Sequence, residues 1–200
     1  MGANRIRCGG VVRRGVPVVL ACAVLGTGLA ACGGGGGTPT TSVADREADA
    51  ATLGDVLARQ LGAVEAYGAM LPALRGPALA AARQSRSYEQ QHADATIKAL
   101  RGIGAEAESA PEEIDTPPHP SRAEALLFLY ELENATINLE MHAIAKLTGE
   151  WPRTLVATMV ANQAQRLARV RAELGLPPTK QIPSAFEYGT TPDPSGMIAE

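Results

Sequence analysis

The chain is poor in aromatic residues: two Phe, four Tyr and one Trp make 4% of 200 positions. Strands favour aromatic and β-branched side chains, so an all-β domain is not expected. A basic excess is also lacking, with 18 Lys and Arg against 21 Asp and Glu and a formal charge of −3. A broad nucleic-acid footprint needs such an excess, and that class is set aside. Cysteine is scarce, and three residues cannot all pair, so disulfides are not expected to frame the fold. No Gly-rich phosphate loop follows a strand pattern, and no Ser/His/Asp arrangement stands out for nucleophilic catalysis.

What is present begins with an address. Residues 1–14 carry Arg5, Arg7, Arg13 and Arg14 and no acid, and a largely apolar run from Val16 to Ala31 follows. That run has the length of a signal-peptide core and is short for a spanning helix of about 20 residues. It ends in Leu29-Ala30-Ala31-Cys32, which resembles the lipobox of bacterial lipoproteins. The resemblance implies cleavage before Cys32 and lipidation of its sulfur, with two or three acyl chains giving stable attachment. Gly33–Gly37 and Thr38-Pro39-Thr40-Thr41 then follow as a soft tether. The expected organisation is a signal peptide over 1–31 and a lipidated cysteine with its tether over 32–43. A folded body over 44–175 and a Pro-rich tail over 176–200 complete it. Removal of residues 1–31 leaves 14 basic against 21 acidic residues, a body of charge −7 with no free thiol. The expected location is the outer side of a cell membrane in the envelope, and the expected partner is that membrane. The sequence indicates no protein partner and is compatible with a homo-oligomer.

The body reads as all-α. Leu53, Leu57, Gln60, Val64, Tyr67, Leu71 and Leu74 recur at spacings of four and three, a bundle seam on one helix from about 44 to 74. Arg75-Gly76-Pro77 breaks it. A second helix over 77–103 has its seam at Leu79, Ala82, Arg86, Glu89, Ala93, Thr96, Leu100 and Ile103. Residues 105–120 are acidic and proline-rich, and no helix can run through them. Ser121-Arg122-Ala123-Glu124 has the pattern of a capping box. The third helix carries Leu126, Tyr130, Glu133, Ile137, Glu140, Ile144 and Leu147, and the fourth Val156, Met159, Gln163, Arg166 and Val170. Trp151 is expected to staple the turn between these two. Short turns make each pair an antiparallel hairpin. The 16-residue middle segment can reach about 50 Å, enough to cross a 28-residue helix of about 42 Å. Two hairpins joined by one long crossover form an antiparallel four-helix bundle of the ferritin-like arrangement.

Polar residues sit inside the seams. Gln60, Glu89, Glu133 and Gln163 occupy positions that should be apolar, and a buried carboxylate must be paired, ligated or protonated. Glu89-Gln90-Gln91-His92 is a Glu-x-x-His, whose two side chains project to the same side of a helix and can reach one metal. On these features the chain resembles the bacterial ferritin-like domain proteins, of the ferritin superfamily of di-iron carboxylate bundles, over about residues 45–175. The family pattern is one Glu on the first and third helices and Glu-x-x-His on the second and fourth. Glu89, His92 and Glu133 match that pattern as metal ligands. Gln60 stands in place of the first Glu, and Gln163 and Arg166 in place of the second Glu-x-x-His.

The departures carry the functional expectation. Two carboxylates, one imidazole and two amides cannot match roughly four positive charges, and Arg166 adds a permanent cation. The expected protein is therefore non-enzymatic, with a degenerate site, no resident cofactor and a binding or structural role. The alternative is a residual Glu89, His92 and Glu133 site for iron or manganese, assisted by Glu140 or Glu65. That protein would store metal or handle oxidative stress as a di-iron-type oxidoreductase.

Overall fold

The computed structural model of the chain describes residues 42–177. The signal peptide, Cys32, nearly all of the tether and nearly all of the tail lie outside them. Four α-helices follow one another: α1 Val43–Met70, α2 Gly76–Gly102, α3 Arg122–Lys146 and α4 Glu150–Glu173. No strand occurs among the described residues.

Local chemistry sets the helix ends. Ser42 caps α1 by accepting from the Asp45 amide, and Asp45 reaches back to the Ser42 amide. Ser121 and Glu124 form the same reciprocal box at the start of α3, as the sequence pattern predicts. The α-helical part of α1 ends four residues short of the expected Leu74, and Leu71–Ala73 form a 3-10 turn. Pro72 explains the difference, because it lacks an N–H and its ring crowds the preceding turn. Gly104, at φ 79°, closes α2: the Ala105 amide bonds the Leu100 carbonyl at 2.9 Å.

Contacts at the two ends give the topology. Asp49, early in α1, accepts hydrogen bonds from the amides of Thr148 and Gly149 in the α3–α4 turn, at 2.7 and 2.9 Å. Arg122, opening α3, meets Glu173, closing α4, at 3.3 Å. So α1 and α3 run antiparallel, and the crossover must traverse the bundle to join α2 to α3. It does so as an extended strap. Ala105, Ala107, Ser109, Glu112 and Ile114 turn toward the helices, while Glu106, Glu108, Glu113 and Asp115 face out. The strap is fastened by the Glu112 amide to the Ala58 carbonyl at 2.8 Å and by Arg59 to Glu112 at 2.7 Å. Gly62 permits this approach, since a Cβ there would stand 2.4 Å from the Glu112 carbonyl oxygen.

The apolar core is divided in two. One cluster, at the α1–α2 turn end, gathers Tyr67, Met70, Leu74, Leu126, Leu129, Tyr130 and Leu167. The other, at the end where α1 starts, gathers Leu53, Val56, Leu57, Leu100, Leu147 and Val156. Gln60, Glu89, Glu133, Glu140, Gln163 and Arg166 all lie between them in sequence register and are all buried.

Two expectations need correction. Arg86 is exposed and sends its Nε to the Val64 carbonyl at 3.1 Å, while Ser85 takes the buried position. The two positions are neighbours around the helix, and the one that avoids burying a guanidinium wins. Trp151 does not staple the turn: it is 53% exposed, and Pro152 is the residue buried there.

Candidate functional site

The site is the polar layer between the two apolar clusters, with all four helices contributing. From α4, Arg166 points inward and is 5% exposed. Its Nη2 bonds Glu89 of α2 through Oε1, and the same nitrogen lies 3.1 Å from Glu133 Oε2 of α3. Its Nη1 donates to the Ser85 carbonyl at 3.1 Å. From α1, the Tyr67 hydroxyl donates to Glu133 Oε1. One guanidinium therefore ties two helices' carboxylates together, and a phenol holds the second carboxylate from the far side.

A second group of bonds centres on Glu140, which is fully buried. Its Oε1 accepts from Gln163 Nε2 at 3.0 Å and from Gln60 Nε2 at 3.3 Å. Gln60 Oε1 in turn accepts from Thr96 Oγ1 at 2.8 Å. The two amides that stand at ligand positions thus act as hydrogen-bond donors to a carboxylate. Five atoms of the layer, Glu89 Oε2, His92 Nδ1, Glu140 Oε2, Gln163 Oε1 and Arg166 Nε, find no hydrogen-bond partner among the described residues. The first two of these lie 3.8 Å apart.

Burial and charge set the protonation. Burial alone would raise Glu89, but His92 and Arg166 outweigh it and hold the carboxyl below its ordinary range. Burial pushes Glu133 up to about 7, against the pull of Arg166 and with the help of the Glu89 charge. Burial and the same Glu89 charge push Glu140 up to about 8, despite the two amides that bond it. Burial would weaken the Arg166 cation, but Glu133 and Glu89 more than restore it. Tyr67 is raised well above the usual phenol by burial and by Glu133, so it stays a proton donor. At neutral pH the layer holds Arg166 as a cation, Glu89 as an anion, Glu140 neutral and Glu133 near its midpoint.

The layer brings together Gln60, Glu89, Glu133, Glu140, Gln163 and Arg166, with His92 beside Glu89 at 3.8 Å, while Glu65, the other expected assistant, is exposed. It does not fit a pair of metal ions. The nitrogen of Arg166 already bridges two carboxylates that a metal pair would need, and a fixed cation there repels a second one. Among the described residues, no group of three or more His, Cys, Asp or Glu side chains could hold a metal ion. The crevice lined by Tyr67, Ala82, Ser85, Arg166 and Val170 has a volume of about 10 Å³, room for one water-sized molecule.

Sequence reasoning did not find the Tyr67–Glu133 bond or the role of Asp49, which is 2% exposed. Asp49 had a signal: it lies four residues before Leu53, one step back along the same seam. The Tyr67–Glu133 bond had none, because it depends on the relative height of two helices.

No protein-family model matches the chain, and no curated protein matches it. Solved structures do. A conserved hypothetical protein from Mycobacterium tuberculosis aligns at 22% identity and TM-score 0.57, covering 64% of this chain and 97% of the other. A ferritin-like, diiron-carboxylate protein from Bacillus anthracis aligns at 17% identity and TM-score 0.56, over 64% and 96%. Dps92 from Deinococcus radiodurans aligns at 11% identity and TM-score 0.62, over 74% and 97%. Residues 42–177 therefore carry the ferritin-like four-helix fold.

Proposed function

We propose that the chain is a lipid-anchored, extracytoplasmic protein of the ferritin-like fold whose metal site has been replaced by a salt bridge. In this reading it is not an enzyme, and it serves the envelope by binding or scaffolding. The observation that carries it is Arg166 Nη2 bridging Glu89 and Glu133 inside the bundle. Burying a charged pair is costly, and the pair here is completed by hydrogen bonds from Tyr67 and to Ser85. The water-sized crevice beside Arg166 supports the same reading, since no organic substrate fits it.

A second reading, a residual iron or manganese site at Glu89, His92 and Glu133, is favoured by one observation. Glu89 Oε2 and His92 Nδ1 face each other at 3.8 Å, and neither has a hydrogen-bond partner among the described residues. The diiron-carboxylate neighbour makes iron the first metal to try. Metal analysis separates the two. Full-length protein, expressed with iron and manganese supplied, is expected to retain less than about 0.1 equivalent of either. Its melting temperature is expected to be unchanged by chelator. Stoichiometric metal, lost in Glu89→Ala, would establish the second reading instead.

A further inference from the structure

The end of the bundle that carries Trp151 has the properties of a bilayer-facing surface. Val43 and Trp151 are the large apolar side chains that stand exposed among the described residues, at 61% and 53%. Both open a helix: Val43 is the first residue of α1 and Trp151 the second of α4. Asp49 pins these two helix starts together through its bonds to the Thr148 and Gly149 amides. A lone exposed indole at one end of a bundle has an apolar body and a polar N–H, the combination that suits the headgroup level of a membrane.

Chain length points to the same end. Nine residues separate Cys32 from Ser42, which caps α1. Ten Cα–Cα steps reach at most about 35 Å. The far end of the bundle lies a further ~42 Å away along α1. A lipid on Cys32 therefore holds the α1 start, and with it the Trp151 end, within about 35 Å of its anchor point in the bilayer.

Charge permits the contact. At this end Arg46, Lys98, Arg101, Lys146 and Arg153 stand with Asp45, Glu47, Asp49, Glu106 and Glu150, five of each sign. The chain beyond Cys32 as a whole has 14 basic and 21 acidic residues, so its acidic excess lies elsewhere, including the outward face of the strap. An anionic surface repels that excess and leaves the balanced end free to approach. No described helix is long and apolar enough to cross a membrane, so the contact is peripheral.

We infer that the body docks end-on against a phospholipid bilayer, with Trp151 inserted at the headgroup level and Val43 beside it. The inference rests on the lipid-anchor reading above. It differs from that reading in assigning a contact surface on the folded body, where the anchor alone would leave the body free to tumble. The docking is driven by an aromatic side chain at an electrically balanced end, so it holds on zwitterionic as well as anionic vesicles and at high salt.

Trp151 is the sole tryptophan of the chain, so its fluorescence reports this surface without any substitution. Full-length protein is expressed with its leader, purified from membranes and reconstituted into phosphatidylethanolamine–phosphatidylglycerol vesicles. The mass of the N-terminal peptide is read separately. The expected result is an acylated Cys32, a blue-shifted Trp151 emission, and loss of about half the intensity when the lipids are brominated near the glycerol. Acylated protein whose Trp151 stays open to aqueous acrylamide and insensitive to brominated lipid overturns the docking and leaves the anchor intact. Protein without acyl groups on Cys32 overturns the anchor, and the docking with it.

Discussion

Arg166→Met is expected to destabilise the folded body by about 3–5 kcal/mol at pH 7, because it leaves the Glu89 anion and a partly ionised Glu133 buried without a cation. The substituted side chain keeps most of the volume, so the loss is electrostatic and not a cavity effect. Glu89 is 1% exposed and Glu133 is 1% exposed, which leaves water little access to compensate. Urea unfolding measures the loss. A second substitution shows its origin: Arg166→Met combined with Glu89→Gln and Glu133→Gln removes the uncompensated charges and is expected to recover most of the stability. The cost of Arg166→Met should also shrink in acid, where both carboxylates take up protons. A loss of less than about 1 kcal/mol at pH 7 would mean that the guanidinium is not what compensates these carboxylates.

Glu140→Gln is expected to stabilise the protein, most strongly at alkaline pH. Glu140 has its folded pKa raised to about 8, well above its value in an unfolded chain. Between those two values the folded state holds a proton that the unfolded state has released. Stability therefore falls as pH rises through this window, by about 1.4 kcal/mol per pH unit for one group. Glu133, raised to about 7, adds a slope of the same sign over the lower part of the window. Glu89, held below its ordinary range, acts in the opposite sense: its contribution is present above the unfolded value and is lost as pH falls through the folded one. The wild-type chain should be most stable in mild acid and weaken toward pH 8. A glutamine at 140 can still accept from Gln60 and Gln163 while carrying no proton to lose. Unfolding free energies at several pH values should show its slope reduced by about 1.4 kcal/mol per unit across this window. An unchanged slope would remove Glu140 from the account.

Much of this architecture is legible in the sequence, for reasons that belong to particular residues. The seams of α1 and α3 repeat at four and three, and Gln60 and Glu133 are conspicuous there because their neighbours in the row are apolar. Glu89, Gln163 and Arg166 stand at seam positions of α2 and α4, and all five are buried. The capping box at Ser121 and the stop at Gly104 are local chemistry and need no tertiary information. Other features depend on what adjacent elements do. Ser85 and Arg86 lie about 100° apart on one helix, and only the packing of α2 selects between them. Trp151 stands one residue before Pro152, and nothing in that pair shows which side chain turns inward. The bonds of Tyr67 to Glu133 and of Gln60 to Thr96 join helices whose relative height is set by the whole bundle. The polar layer is thus readable as a set of residues, while its pairing is a tertiary property.

In the proposed reading a guanidinium takes the place of metal between the carboxylates of the bundle. Crystals of the full-length protein, grown near pH 7 and soaked in Mn²⁺, test it most directly through anomalous scattering from the metal. No anomalous peak is expected in the layer, with Arg166 bonded to both Glu89 and Glu133. A Mn²⁺ peak within about 2.3 Å of Glu89 and Glu133 oxygens, with the Arg166 side chain displaced, would contradict it.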